Sequence, residues 1–411
     1  MNRSIFLVMM LTGALFSMMV PMPVIGAVLP PEYKEFVFDD GAIEFSNRFE
    51  SGRLNQVTQT GRNHFLITIE PENHPINDSP WYAFSVVAKT EREIVLRFRY
   101  RHGKHRYHPK ISNDGIRWQA ADLRHYQVDK EGEARLALTV GPDKQWVAAQ
   151  ELTYSMFGLK QLIDGFSQHQ DITHAVFGES VEGRPLSMLK VGSNNARHFV
   201  LVLGRQHPPE VTGSIAQMAF LRTLSGDSPL AKRFRQSFTT LAFPLLNPDG
   251  VMNGHWRHNA NGVDLNRDWY QQSQPEIQAV AGIVDRIAAN PANKIWFALD
   301  FHSTHHDIFY TVERDLANDQ YQIVDRWLAR LWNQDIAIKD RPGNLRRGVS
   351  KSWLQKQWGI PALTYEVGDE TDRTTIATIG DRAAVAMMEE LLKSIGSEKE
   401  TARESSLVRS N

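Results

Sequence analysis

Cysteine is absent from the 411 residues. Disulfides, thiolate metal sites, haem attachment, cysteine nucleophiles and lipidation on cysteine are thereby excluded, so any transition-metal site must be assembled from His, Asp and Glu. An excess of either charge is lacking too. The 46 Lys and Arg stand against 47 Asp and Glu, a formal net charge of -1, which leaves no global field to hold nucleic acid. No internal repeat is found, and past residue 27 no apolar run approaches the ~20 residues of a bilayer span. What is present, 42% apolar and 23% charged residues, is the composition of a folded protein of two or three domains.

The long apolar run stands at the start. Arg3 precedes Ile5 to Val20, and Pro21, Pro23 and the small pair Gly26-Ala27 follow. This is the layout of a secretory signal, with cleavage expected after Ala27, although Ile25 is bulky for its place before the cut. The expectation is a signal peptide over 1–27 and an exported protein, periplasmic or secreted, without a stable membrane span once that segment is removed.

From 28 to 154 the pattern is β. Ile94, Leu96, Phe98 and Tyr100 alternate with Val95, Arg97, Arg99 and Arg101, the period of a half-buried strand. Further short runs (64–69, 81–87, 134–140) are punctuated by Asn113-Asp114-Gly115, Glu131-Gly132 and Gly141-Pro142-Asp143. The spacing predicts an all-β sandwich. From 155 to 395 strands alternate with helices: strands at 198–204, 238–246, 295–301 and 360–367, helices at 211–224, 274–289, 321–332 and 379–395. That order predicts an α/β domain. Residues 396–411, rich in Ser, Glu, Lys and Arg, read as a flexible polar tail.

Chemistry-bearing residues collect where strands should end, which is where open α/β sheets gather ligands. The strand 198–204 leads into Arg205-Gln206-His207-Pro208-Pro209-Glu210, and imidazole and carboxylate both suit zinc. The strand 295–301 runs into His302, with His305 and His306 close behind; His302 lies directly against the strand and is preferred as a third ligand. Asn247-Pro248-Asp249-Gly250 is a turn signal. It leads to Trp256-Arg257-His258 and to Gly262-Val263-Asp264-Leu265-Asn266-Arg267, whose arginines suit a carboxylate. Glu366 interrupts an apolar strand, Ala362-Leu363-Thr364-Tyr365-Glu366-Val367, and a buried carboxylate needs a partner. Each segment taken singly is also compatible with a solvated loop or a salt bridge.

In this order, the segments from about 154 to 395 resemble the zinc metallocarboxypeptidases. Phe49-Glu50-Ser51-Gly52, Trp81-Tyr82-Ala83-Phe84 and Glu151-Leu152-Thr153-Tyr154-Ser155 are similar to the amino-terminal domain of the cytosolic carboxypeptidase-like subgroup, of which an exported chain would be a bacterial relative. The resemblance implies a mixed-sheet carboxypeptidase domain with helices on both faces, behind the sandwich. It implies one Zn2+ per chain held by His207, Glu210 and His302, with Asp264 orienting the first histidine. It further implies Arg257 polarising the scissile carbonyl, Asn266 and Arg267 docking the substrate's terminal carboxylate, and Glu366 as general base for a metal-activated water. The implied partner is a peptide or peptide-like substrate with a free carboxylate, and the implied activity is removal of carboxyl-terminal residues. The alternatives are a zinc amidohydrolase acting on cell-wall peptides or N-acyl amino acids, and a binding module with a dead site. Two departures stand out. Pro209 replaces the Gly or Arg that relatives often carry, and the window 344–348 lacks the tyrosine of pancreatic-type enzymes.

Two basic stretches call for separate readings. Residues 97–110 hold six Lys or Arg and three His among aromatics, which strand alternation followed by a turn explains without nucleic acid. Arg346, Arg347 and Lys351 either face an acidic substrate or form a solvated loop.

Overall fold

The computed structural model describes residues 33–409 apart from 153, 154, 194 and 337. The expected signal peptide, 1–27, lies outside the described residues.

Two sheets make up the first part of the chain. One runs Glu35–Phe38, Ile43–Ser46, Ala83–Ala88, Gln145–Ala148, Lys110–Ser112, Gln119–Ala120; the other runs Gln56–Gly61, His64–Ile69, Arg92–Tyr100, Ala134–Val140, Tyr126–Val128. Their shared core takes Ile43, Phe45, Phe84 and Val86 from one sheet and Phe65, Ile67, Leu96, Phe98 and Leu136 from the other. The alternation along Arg92–Tyr100 drives this: Ile94, Leu96 and Phe98 are buried, whereas Arg97 and Arg99 are exposed.

The second part is built on a mixed eight-stranded sheet. Its order is Ile172–Glu179, Pro185–Gly192, Phe238–Phe243, His198–Gly204, Lys294–Thr304, Ala362–Gly368, Ile308–Tyr310, Lys339–Asp340. Alternate strand residues face opposite helical layers. Val200, Val202, Leu299, Phe301, Leu363 and Tyr365 pack with the helices Val211–Ser225, Gln322–Trp332 and Arg373–Arg409. Leu201, Leu203, Ala298 and Ala362 pack with Pro275–Ala288 and Ser350–Trp358. The strand His198–Gly204 is flanked on both sides by parallel neighbours, Phe238–Phe243 and Lys294–Thr304. The chain therefore turns to one side and then to the other at its carboxyl end, which opens a crevice there.

Several boundaries differ from the sequence expectation. Asn247-Pro248-Asp249-Gly250 opens a short helix, Pro248–Met252, whose first turn Asn247 caps by accepting from the Gly250 N–H. The strand expected to stop before His302 continues to Thr304, so His302 is a strand residue. The last helix runs from Arg373 to Arg409, through most of the stretch expected to be a tail. Glu, Lys, Arg and Leu are good helix formers, so a polar composition does not by itself mark coil. The hairpin Ile172–Glu179/Pro185–Gly192 and the helix Ser350–Trp358 carried no strong periodicity and were not expected.

Candidate metal centre and catalytic cleft

After Gly204 the backbone turns through Arg205, which adopts a left-handed conformation (φ 56°). The Arg205 side chain braces the loop by donating to Pro208 O (2.6 Å) and Ser214 Oγ (3.1 Å). Gln206 and His207 thereby face the crevice, and Glu210 stands at the start of the helix Val211–Ser225. Glu210 makes no side-chain cap there, so its carboxylate is free for other partners.

Those partners are the two histidines. His207 Nδ1 lies 2.8 Å from Glu210 Oε1, and His302 Nδ1 lies 2.7 Å from Oε2 of the same carboxylate. One donor atom from each of His207, Glu210 and His302 falls within 4.8 Å of the others. The far ring nitrogens rest on carboxylates: His207 Nε2 on Asp264 Oδ1 at 2.9 Å, His302 Nε2 on Asp300 Oδ2 at 3.0 Å. With Asp264 and Asp300 holding the Nε2 sides of the rings, each Nδ1 faces Glu210. Two imidazoles and one carboxylate, with both rings held from behind, fit a zinc ion in chemistry and in arrangement.

The surrounding carboxylates favour positive charge at this centre. Burial opposes a charged ring at His302, yet Asp300 and Glu210 outweigh it and raise its pKa well above the ordinary value. Burial likewise opposes ionisation of Glu210, but His207 and His302 hold its carboxyl far below the usual range. The site thus favours separated charge, with Glu210 anionic.

Glu366 is the Cα partner of His302 in the neighbouring parallel strand and projects from the same face. Burial and the nearby Glu210 push its pKa up to about 7, against the pull of His302, His207 and Arg106. Its Oε2 is buried without a hydrogen-bond partner. A buried carboxyl with a free lone pair beside a candidate metal centre is poised to hold or release a proton.

The remaining expected residues are brought to the same cleft. Arg257 Nη2 pairs with Asp264 Oδ2 at 2.7 Å, so Asp264 joins Arg257 to His207. Arg267 donates to Asn266 O at 2.7 Å and is exposed. Although the residue reaches solvent, the protein packed around its guanidinium lowers its pKa, Arg257 and Arg347 push the same way, and Asp264 and Glu366 push back; three guanidinium groups therefore share one neighbourhood. Asn266 is held from both ends: Nδ2 lies 3.2 Å from His302 Nε2, and Oδ1 accepts from Ser350 N at 3.1 Å. Lys351 is instead buried, donating to Thr311 O at 3.0 Å, and is not a surface group for an acidic substrate.

Several residues with no role expected from the sequence also lie in the site. Asp300 lies two residues before His302 on one strand, and the period of two puts both on one face, a signal that was available. Asp300 Oδ2 also accepts from Gln206 Nε2 (2.7 Å) and from the Ser350 hydroxyl, and Gln206 Oε1 accepts from Trp269 Nε1 (2.9 Å). Glu72 belongs to the sandwich, yet its Oε1 accepts the backbone N–H of Arg257 (2.9 Å) and His258 (3.1 Å). No local pattern announces that contact.

The comparisons identify the family to which this fold and site belong. The family model for zinc carboxypeptidase matches residues 159–380, more than half of the chain. The chain belongs to this family. A model of the cytosolic carboxypeptidase N-terminal domain matches residues 45–151. Cytosolic carboxypeptidase 3 of Mus musculus is 25% identical over 304 residues, covering 66% of this chain and 30% of the relative. An uncharacterized protein of Zymomonas mobilis is 24% identical over 270 residues, covering 63% of this chain and 67% of the relative. The match thus spans about a third of the first curated relatives' length. The metallo-carboxypeptidase of Burkholderia cenocepacia shares the fold with a TM-score of 0.73 at 19% identity, over 85% of this chain and 99% of that one. The metallo-carboxypeptidase of Pseudomonas aeruginosa, solved with (2-guanidinoethylmercapto)succinic acid, gives 0.70 at 19%, over 84% and 99%. Among the described residues no helix is long and apolar enough to cross a membrane.

Proposed function

We propose that the protein is an exported metallocarboxypeptidase that removes carboxyl-terminal residues from peptides. The observation that carries this reading is the convergence of His207, Glu210 and His302 beside Glu366, whose Oε2 has no hydrogen-bond partner. Zinc bound by those three residues supplies a Lewis acid that acidifies water and polarises a carbonyl.

The chain's own residues do the rest. Glu366 accepts a proton from the attacking water and later passes it to the departing amine, a role that its raised pKa and open Oε2 suit. Arg257, partly exposed beside Asp264, offers positive charge to the oxygen on which negative charge develops. Arg267 binds the terminal carboxylate, with Asn266 beside it at the rim of the centre. The sandwich helps fix this geometry through Glu72, which anchors the backbone of Arg257.

Export rests on the leader-like segment 1–27 alone, and sequencing the amino terminus of protein recovered from a periplasmic fraction tests it. The catalytic reading is tested with purified protein, a peptide library and mass spectrometry. Stepwise loss of single carboxyl-terminal residues, abolished by a chelator and by Glu366→Gln, is the expected result. Internal cleavage, or turnover of cell-wall peptides alone, overturns it.

A further inference from the structure

The basic stretch that closes the strand Arg92–Tyr100 turns toward the peptidase domain. Lys110 Nζ pairs with Glu370 Oε2 at 2.8 Å, and His108 N donates to Glu370 Oε1 at 3.2 Å. Arg106 goes deeper, with only 16% of its side chain exposed. Its guanidinium forks onto Asp369, Nε to Oδ2 at 2.8 Å and Nη2 to Oδ1 at 3.2 Å, and Nη2 also faces Ser303 O at 3.5 Å. Its Cζ lies 6.0 Å from the ring centroid of Trp256.

Each of these partners adjoins a working residue. Ser303 follows His302, Asp369 lies three residues past Glu366, and Trp256 precedes Arg257. The Asp369 N–H donates to Thr304 O at 2.7 Å, so the ends of the two strands are already tied where Arg106 grips them. On the other side, Ser303 Oγ accepts from Thr212 Oγ1 (2.7 Å) and Gly213 N (2.9 Å), at the head of the helix that Glu210 opens. A planar two-pronged bond to a buried carboxylate fixes geometry as well as adding energy.

We propose that Arg106, contributed by the sandwich domain, is a positioning residue for the catalytic centre. It locks the strand ends that carry His302 and Glu366 against each other and against the Arg257 segment. The sandwich is then part of the active-site scaffold, and its removal would leave a complete set of ligands in a looser frame.

The inference rests on the proposed reading of the site, and the experiment separates the two. Arg106→Met, Arg106→Lys and Lys110→Met are prepared in the full chain. Zinc affinity is measured by chelator competition, and kcat and KM are measured at saturating zinc. Lys110→Met is the control, because it breaks the adjacent interdomain ion pair without touching either strand end. Arg106→Met should weaken zinc binding about tenfold and lower kcat by about two orders of magnitude with KM changed less than about threefold. Arg106→Lys should recover part of both, and Lys110→Met should leave both near wild type. Wild-type zinc affinity and kcat in Arg106→Met overturn the proposal, as does Lys110→Met reproducing the losses. If Arg106→Met does not fold, Arg106→Lys against Lys110→Met decides by the same measures. A wild-type protein that releases nothing from any peptide sinks the reading of the site instead, and zinc affinity alone then decides the role of Arg106.

Discussion

His302 and Glu366 are direct partners across two parallel strands. A metal-ligand candidate and a carboxyl with one unpartnered oxygen therefore project side by side from one face of the sheet, fixed by backbone hydrogen bonds rather than by a loop. The candidate metal ligand and the carboxyl proposed to carry the proton are held on the same rigid element pair, the kind of support that precise chemistry needs.

Glu366→Gln keeps the size of the side chain and removes its capacity to take a proton. Turnover should fall by about 10²–10⁴ while one zinc per chain is retained. Steady-state kinetics and metal analysis on the same preparation check both.

Arg257→Ala removes a charge from the cleft and an ion pair from Asp264. Its kcat should drop by about 10²–10³. Zinc should stay bound, since His207 keeps its contact with Asp264; kcat measured beside zinc content reads both effects.

Asp300→Asn tests the support behind His302. The substitution removes the charge that receives His302 Nε2 and the donors from Gln206 and Ser350. Zinc affinity should weaken by about 10–100-fold, read by competition with a coloured chelator.

Gly213→Ala probes the close approach of helix and strand. A Cβ there would stand 2.6 Å from the His302 carbonyl oxygen, against backbone that has little room to yield. The variant should lose about 1–3 kcal/mol of stability, measured by urea denaturation.

Glu276 supplies a pH test away from the metal centre. It is fully buried, and burial raises its pKa from 4.5 to about 7. Between those values the folded protein binds more protons at this group than the unfolded chain does. Its contribution to stability therefore falls as pH rises from about 4.5 through about 7 and is level above that. Glu276→Gln, uncharged throughout, should gain stability relative to wild type as pH goes from 5 to 8. A difference between the two proteins that does not change with pH would contradict this assignment.

Much of the architecture was readable because it is local. The alternation at 94–100 sets a half-buried strand, and the apolar run 198–204 sets a buried one. The pair His207 and Glu210 is legible because three residues separate them at a strand-to-helix junction. Glu366 is conspicuous as a carboxylate in an apolar strand. The weakly patterned hairpin at 172–192 and the helix at 350–358 escaped because tertiary packing, not periodicity, stabilises them.

The sequence alone determined the chemical inventory: a metal site limited to nitrogen and oxygen donors, the identity of the ligand candidates, and the alternation of elements that carries them. Only the tertiary structure decided how those groups are held. Asp300 behind His302 follows from strand packing, and Glu72 and Arg106 reach their partners across 185 and 197 residues of chain. Periodicity records which face of an element is apolar. It carries no record of which distant surface will be docked against it, so the basic stretch at 97–110 read as an exposed strand and turn although its arginine and lysine at 106 and 110 are held by the carboxylates at 369 and 370.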